Sequence, residues 1–478
     1  MIWHNHRAKP FLDLFQYVFA FRVGHHFTLY FSDSSHSPRF LCLHKAVAFK
    51  YNNHARNLTH GYFMKEFIPL SEVADILSVS KETLRRWDKS GKLESIRHPI
   101  NNYRVYHSHD LKQFGQIGFM FDETTPEPAA APEGVYTVAE LFAGAGGLAL
   151  GMEKAGLHCV LLNEVNREAC ATLRKNRPHW NVIEGDVATL DFHHLQGKID
   201  VLTGGFPCQA FSYAGKKLGF EDARGTMFYE FARAVKEIKP LICVGENVRG
   251  LLSHDGGRTL QGMVSILDEL GYEVLPPRVL KAIFHRVPQK RERLLVVGLR
   301  KDADLTFDLP KPHKEFYTLR DALQKGRLFE CDVPVSPGQA YPKRKREIMS
   351  MIPPGGYWRE LPLEIQKEYM KGSFFLSGGK TGMARRISWD EPCLTLTCAP
   401  AQKQTERCHP DETRPFTVRE YARIQTFPDD WEFSGSMTSQ YKQIGNAVPV
   451  NLAEEIGKSL VKTLNAYYAG QVKSVKRA

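Results

Sequence analysis

The stretch Gly204-Gly-Phe-Pro-Cys-Gln-Ala-Phe-Ser212 decides how this chain folds. It follows an apolar run, Ile199-Asp-Val-Leu202, that reads as a short buried strand. Gly204, Gly205 and Pro207 end that strand, so Cys208 falls on a loop at its carboxyl end. In open α/β sheets that edge is where ligands bind. A thiol placed there can act as a nucleophile, because a thiolate forms far more readily than an alkoxide. A cysteine in a turn can equally be a small buried packing residue. The nine residues leave both readings open.

Upstream, Val135-Tyr-Thr-Val-Ala-Glu-Leu-Phe142 is an apolar strand running into Ala143-Gly-Ala-Gly-Gly-Leu148, and a helix follows until Gly156. A strand, a glycine turn and a helix N-terminus suit a nucleoside cofactor, since backbone without side chains allows close approach. The next strand, Cys159 to Asn163, ends in Glu164, about 20 residues beyond the glycines, where an acid suits ribose hydroxyls. Asp186 ends a third strand-like run and suits a base amino group. Either acid can also be a solvated loop residue. Downstream, the apolar run Leu241-Ile-Cys-Val244 places Glu246 at the same sheet edge as Cys208, and Arg291 and Arg293 alternate on one face of a strand.

Composition bounds the rest. A chain of 478 residues accommodates two or three domains. Its net charge of +11 points to polyanionic partners. No apolar run approaches the roughly 20 residues that span a bilayer. Nine cysteines without CxxC pairs indicate neither a disulfide framework nor a zinc site, so no metal is expected and a cytoplasmic location fits. Residues 1–63 show no clean period and read as an irregular extension, with the functional protein expected to begin near Met64. Leu70-Ser-Glu-Val-Ala-Asp-Ile-Leu77, with Ser71 as N-cap, and Lys81-Glu-Thr-Leu-Arg-Arg-Trp87, capped by Ser80, read as two helices joined by a tight turn. Tyr103-Arg-Val-Tyr106 reads as a strand and His109 to Phe114 as a helix. The run "LSEVADILSVSKETLRRWDKSGKL…YRVY" resembles the MerR-type or excisionase-type winged helix, with Asn102 where glycine is usual. That resemblance makes Thr83, Arg85 and Arg86, on the second helix, candidate DNA contacts. Residues 121–134, "FDETTPEPAAAPEG", read as a flexible linker.

The segments "ELFAGAGGLALG", "NE", "GD", "GGFPCQAFS", "GFEDARGTMF", "GENVRGL", "QKRERLLVVG", "RPFTVREYARIQTFPDDW" and "QIGNAVP" stand in the order found in the DNA (cytosine-5) methyltransferases, which the chain resembles from Val135 to Gly298 and again from Pro415 to Leu460. Glu140 stands where that family usually has aspartate. The resemblance implies an α/β fold: a Rossmann-like domain with a mostly parallel sheet (135–300 and 415–478), a smaller target-recognition domain (301–414), and the N-terminal winged helix-turn-helix (64–120). It also implies S-adenosyl-L-methionine as cofactor. Phe142, Gly144, Gly146 and Gly147 would form its turn, Glu164 would bind ribose, and Asp186 and Val187 would face adenine, with Pro207, Met227 and Asn446 at the same pocket.

Carbon 5 of cytosine is a poor nucleophile until a thiolate adds at carbon 6, which is the role the resemblance gives Cys208. Glu246 would donate a proton to ring nitrogen 3, Arg293 would hold the carbonyl oxygen, and Arg291 would steady the Cys208 loop. The base must leave the duplex to react. The segment from Phe211 to Asp222 resembles the mobile loop that closes over it, with Gln209, Ser212 and Lys216 as DNA contacts. Lys343-Arg-Lys-Arg346, Gly378 to Arg386 and Thr395 to Thr397 are candidate DNA-reading elements. The implied protein is the modification enzyme of a restriction–modification system. It would act on double-stranded DNA as a monomer near the nucleoid, with a restriction endonuclease as functional partner and a winged helix that regulates its operon. The alternatives are a tRNA methyltransferase of the same fold, a DNA-binding regulator with a silent catalytic domain, and a dehydrogenase, which explains the glycines alone.

Overall fold

Val201-Leu-Thr-Gly204 and Ile242-Cys-Val-Gly245 carry no charge, as strands covered on both faces require. A computed structural model of the protein describes residues 17–23, 26–32, 67–77, 79–97, 102–114, 131–207, 226–378 and 380–475. The chain divides into two units, residues 1–63 and 64–478. In the first, β1 (Tyr17–Val23) pairs antiparallel with β2 (His26–Ser32), Val23 opposite His26. The irregular reading of this segment missed the hairpin because aromatic and apolar residues occupy both alternating positions of β1 and hide the period of two.

The second unit begins with β3 (Phe67–Pro69), α1 (Leu70–Leu77), α2 (Lys81–Lys89), β4 (Ile96–Arg97) and β5 (Arg104–His107), the strands forming a sheet in the order β3-β5-β4. Ser71 does not cap α1: the helix starts at Leu70, directly after the strand, so Ser71 lies inside its first turn. Ser80 does cap α2, its hydroxyl accepting from Thr83 N at 2.9 Å. The expected helix after the wing is a short 3₁₀ stretch, Ser108–Gln113. Asn102 adopts the left-handed conformation that glycine would take there, φ +56°, which asparagine tolerates better than most residues.

A larger sheet follows. Its elements are β6 (Thr137–Leu141), α3 (Gly147–Lys154), β7 (His158–Glu164), α4 (Arg167–Asn176), β8 (Val182–Glu184) and β9 (Val201–Gly204), then α5 (Met227–Ile238), β10 (Ile242–Val248), α6 (Arg258–Glu269), β11 (Tyr272–Val274), β12 (Arg278–Lys281), β13 (Gln289–Lys290) and β14 (Glu292–Arg300). The order is β11-β14-β10-β9-β6-β7-β8, with β12 also on β14. The run β10-β9-β6-β7-β8 is parallel, while β14 is antiparallel to β10, β11 and β12. Val138, Leu162, Val201, Val244 and Val297 point into one core with α3 and the C-terminal helices. Ala139, Leu161, Leu202, Cys243 and Val296 point into the other, with α5 and α6. Each such fully buried aliphatic side chain larger than alanine contributes about 1.5–3 kcal/mol.

Segment 301–414 carries α7 (Leu319–Leu323), α8 (Lys343–Ser350), α9 (Leu363–Met370) and β15 (Cys393–Leu394), which pairs parallel with β13. A separate core gathers Tyr341, Ile348, Met349, Trp358, Met370 and Met383. The chain then returns to the large sheet through α10 (Val418–Ile424), α11 (Met437–Asn446) and α12 (Val450–Val475). Residues 131–134, read as linker, are held by α12: Asn465 donates to Ala131 O at 2.9 Å and accepts from Glu133 N at 3.1 Å. Among the described residues no helix is long and apolar enough to cross a membrane.

Candidate active site at the carboxyl edge of the sheet

Strand register puts five polar residues on one face of the sheet at its carboxyl edge. Glu140 pairs with Thr203 on β9 and with Leu162 on β7, and Thr203 pairs with Val244 on β10. Two residues beyond Leu162 and Val244 lie Glu164 and Glu246, on the same face by the period of two. Glu246 stands opposite Leu295 on β14, and Arg293 is two residues from Leu295. The deeper positions of this face are apolar, so the polar row marks where packing gives way to chemistry.

Glu246 is buried and in ion-pair contact with Arg293 Nε. Burial pushes its carboxyl up, Arg293 and Arg291 pull it back, and burial prevails. A Cβ on Gly205 would lie 3.1 Å from Glu246 Oε2, so the acid abuts the backbone leading to Cys208. Asn247 was not singled out in the sequence, yet it ties the same backbone down: its Nδ2 donates to Phe206 O at 2.9 Å. Its signal was its place beside Glu246, one residue further on the alternating strand. Arg291, 2% exposed, donates to Leu396 O at 3.1 Å and to Gly445 O at 2.7 Å. It therefore clasps the two segments that return from outside the sheet. Burial first, then the Arg293 charge, pushes its proton affinity down.

Glu140 is 2% exposed, with one carboxylate oxygen fully buried and unpartnered among the described residues. Burial pushes its carboxyl well up, and the charges of Glu246 and Glu164 add to that. Both effects favour the neutral form of this acid.

At the glycine turn the structure separates two reasons for glycine. Gly144, φ +54°, has open space where a Cβ would sit. Glu164 braces it, Oε2 accepting from Gly144 N at 2.8 Å and Oε1 from Asn166 N at 2.7 Å. Packing adds a second reason at the next two glycines: Gly146, φ +84°, would also bring a Cβ to 2.6 Å from the Leu173 side chain, and a Cβ on Gly147 would collide with the Val448 carbonyl. Phe142, φ +59°, and Met227 are half-buried against the α5 side of the sheet. Asp186 is exposed and accepts from Ala188 N at 3.0 Å, while Val187 is buried. Pro207 is exposed at the end of the described backbone, and Asn446 is exposed and accepts from Cys398 Sγ at 3.0 Å. Cys208, Gln209, Ser212 and Lys216 lie outside the described residues.

Thr83 is tied back to the Ser80 cap, Arg85 pairs with Glu82 at 3.1 Å, and Arg86 is exposed. Three charges within two of the candidate DNA-reading elements are engaged inside the protein, while Lys343 and Arg346 are exposed. Arg344 is held by Glu347 and Glu368, and Lys345 turns inward to Glu406, 2.8 Å away. Arg386 is buried and braces the carbonyls of Met349, His409 and Pro410.

A mostly parallel sheet with a glycine turn after its first strand and acids at its carboxyl edge is an architecture of nucleoside-cofactor enzymes, the Rossmann-like S-adenosylmethionine-dependent methyltransferases among them. The model of the C-5 cytosine-specific DNA methylases matches residues 136–462, and that of the MerR family regulatory proteins matches residues 70–106. The chain belongs to the C-5 cytosine-specific DNA methylase family. It is 65% identical over 404 residues to the Type II methyltransferase M.Eco47II of Escherichia coli, covering 84% of this chain and 97% of that one. It is 47% identical over 418 residues to M.Sau96I of Staphylococcus aureus, covering 85% and 91%. A solved structure of a prophage-encoded DNA modification methyltransferase from E. coli shares the fold, with a TM-score of 0.53 at 24% identity over 69% of this chain and 99% of that one. The enzyme is a DNA (cytosine-5) methyltransferase whose methyl donor is S-adenosyl-L-methionine. The turn fits such a donor: Gly144 leaves room for close approach and Glu164 offers a carboxylate beside it.

Proposed function

We propose that this chain is the modification enzyme of a Type II restriction–modification system, methylating cytosine within a specific site in double-stranded DNA through a covalent adduct. Its functional counterpart is a cognate restriction endonuclease, its methylating form is a monomer, and it works in the cytoplasm near the nucleoid. The Type II descriptions of its relatives support this over a tRNA substrate. The single observation that carries the chemistry is Glu246, buried against Arg293 and abutting Gly205, three residues before Cys208.

In this reading the donor supplies an electrophilic methyl group. The Cys208 thiolate forms a bond to carbon 6 of a cytosine extruded from the duplex. Electron density moves toward nitrogen 3, which takes a proton from Glu246, while Arg293 holds the carbonyl oxygen. Carbon 5, now enamine-like, would bond to the methyl carbon as the bond from that carbon to the donor's sulfonium sulfur breaks, its electron pair staying on sulfur to leave a neutral thioether. Water removes the carbon 5 proton, the bond from Cys208 to carbon 6 breaks, and the nitrogen 3 proton returns to Glu246. Burial pushes the Glu246 carboxyl up, the direction that an acid in this role requires.

Extrusion costs a few kcal/mol, which closure of the 211–222 loop, with Gln209, Ser212 and Lys216, offsets. Phe142, Gly144, Gly146, Gly147, Glu164, Asp186, Val187, Pro207, Met227 and Asn446 line or support the donor site. Segment 301–414 reads the target, and residues 64–120 bind DNA through Thr83, Arg85 and Arg86 and regulate the operon. Expression in a methylation-free host followed by genome-wide mapping of 5-methylcytosine tests the reading. Methylated cytosines should fall in one sequence context and disappear with Cys208→Ala. Full methylation by that variant sinks the covalent mechanism.

A further inference from the structure

The winged helix does not close its own core. Ile68, Val73, Ile76, Leu84, Tyr106 and Leu111 are completed by Ile283 and Phe284, which lie just after β12. Two polar ties fix the same junction. Lys281 Nζ donates to Ile76 O at 3.1 Å, in the last turn of α1, where a cation also suits the helix dipole. Lys81, the first residue of α2, binds Glu391 at 2.8 Å, and Lys290 reaches the other oxygen of Glu391 at 3.7 Å.

These anchoring segments are close to the catalytic arginines in sequence. Phe284 precedes Arg291 by seven residues, and Glu391 stands two residues before Cys393, which pairs with Gln289. Arg291 and Gln289 in turn hold Leu396, through its carbonyl and amide respectively. The exposed residues of α2, Glu82, Arg85, Arg86 and Lys89, lie on the side opposite buried Leu84, three cations with one acid that pairs with Arg85. A recognition helix on a tether could meet any duplex. One built into the core beside the catalytic strand keeps a fixed distance from the site.

We propose that the winged helix is a second grip on the duplex being methylated, with the basic face of α2 holding DNA that flanks the target. This rests on the reading of Arg85 and Arg86 as DNA contacts, and it adds that they act in cis with catalysis. Two sites on one rigid body gain from effective concentration without new contacts.

The test uses the full chain and duplexes carrying one mapped target with about 4 or about 25 base pairs on each side, a span of more than two helical turns. Wild type should show kcat/KM about tenfold higher on the long duplex, a modest share of what bivalency can give. The double variant Arg85→Ala/Arg86→Ala, with thermal unfolding equal to wild type, should bring that ratio close to one. It should also make the salt slope on the long duplex shallower by about 2, for two lost phosphate contacts. A wild-type ratio near one, or a ratio the substitutions do not move, overturns the proposal. Binding of both proteins to target-free DNA from upstream of their own gene separates the two readings. Lost binding with an unchanged ratio keeps the arginines as DNA contacts but refutes the grip in cis. No change in either measurement removes the DNA-contact reading as well.

Discussion

Two buried acid–base pairs, one at the sheet edge and one in the 301–414 segment, are built differently. Glu406 is fully buried, with Lys345 2.8 Å from one oxygen and the Tyr369 hydroxyl donating to the other at 2.6 Å. Lys345 spends a further bond on Ala401 O. Glu246 has Arg293 on one side and bare backbone at Gly205 on the other. Burial pushes both carboxyls up. The difference is enclosure: Glu406 is surrounded by side-chain donors, whereas Glu246 is left facing a glycine on the backbone that leads to Cys208.

That contrast can be broken from either end. Glu246→Gln should lower kcat by about 10²–10⁴-fold, the usual contribution of a positioned acid, with little change in thermal stability. If Glu246 serves as the acid, wild-type activity should fall as pH rises through its raised pKa, and the variant should lose that limb. A stopped assay of methyl incorporation across pH reads both. Lys345→Met should do the reverse. It leaves the Glu406 charge buried without its cation, at a cost of about 3 kcal/mol in denaturant unfolding at neutral pH. The loss should fade as the medium is acidified and Glu406 takes a proton, and activity per folded molecule should hold.

Glu140→Gln gives the smallest effect. The folded-state pKa of Glu140 lies above its unfolded value, so the native state binds the extra proton and stability falls as pH rises past the ordinary carboxylate range. The amide has no such proton to lose. The variant should melt about 2–4 °C higher than wild type at pH 8, with no gain at pH 4. Equal melting at both pH values would show that Glu140 is not held as a buried acid.

The fold was legible because its strands are apolar on both faces and end in glycine, proline or acid. The site was legible as far as each residue announced itself by strand position: Glu246 and Glu164 end apolar runs, and Arg291 and Arg293 alternate. What escaped depended on partners distant in sequence. Gly146 and Gly147 also pack against Leu173 and Val448, residues the glycine turn itself does not announce. Lys345 and Arg386 look like surface charge but are internal braces for residues up to about 60 positions away. Asn247 looks like an ordinary strand-end amide until the Phe206 carbonyl is seen beneath it. Period and propensity report local geometry, and none of these contacts is local.

The clasp of Gly147 by Val448 also sets an order of assembly. The methyl-donor turn is among the first parts of the sheet to leave the ribosome, but its packing partner follows about 300 residues later. At 5–20 residues per second that is a delay of roughly 15–60 s. During it the nascent chain carries a turn without its backing, and α3 lacks the α12 surface, including Ala453, that Gly151 packs against. A fragment that ends before Val448 therefore lacks the backing of both Gly147 and Gly151.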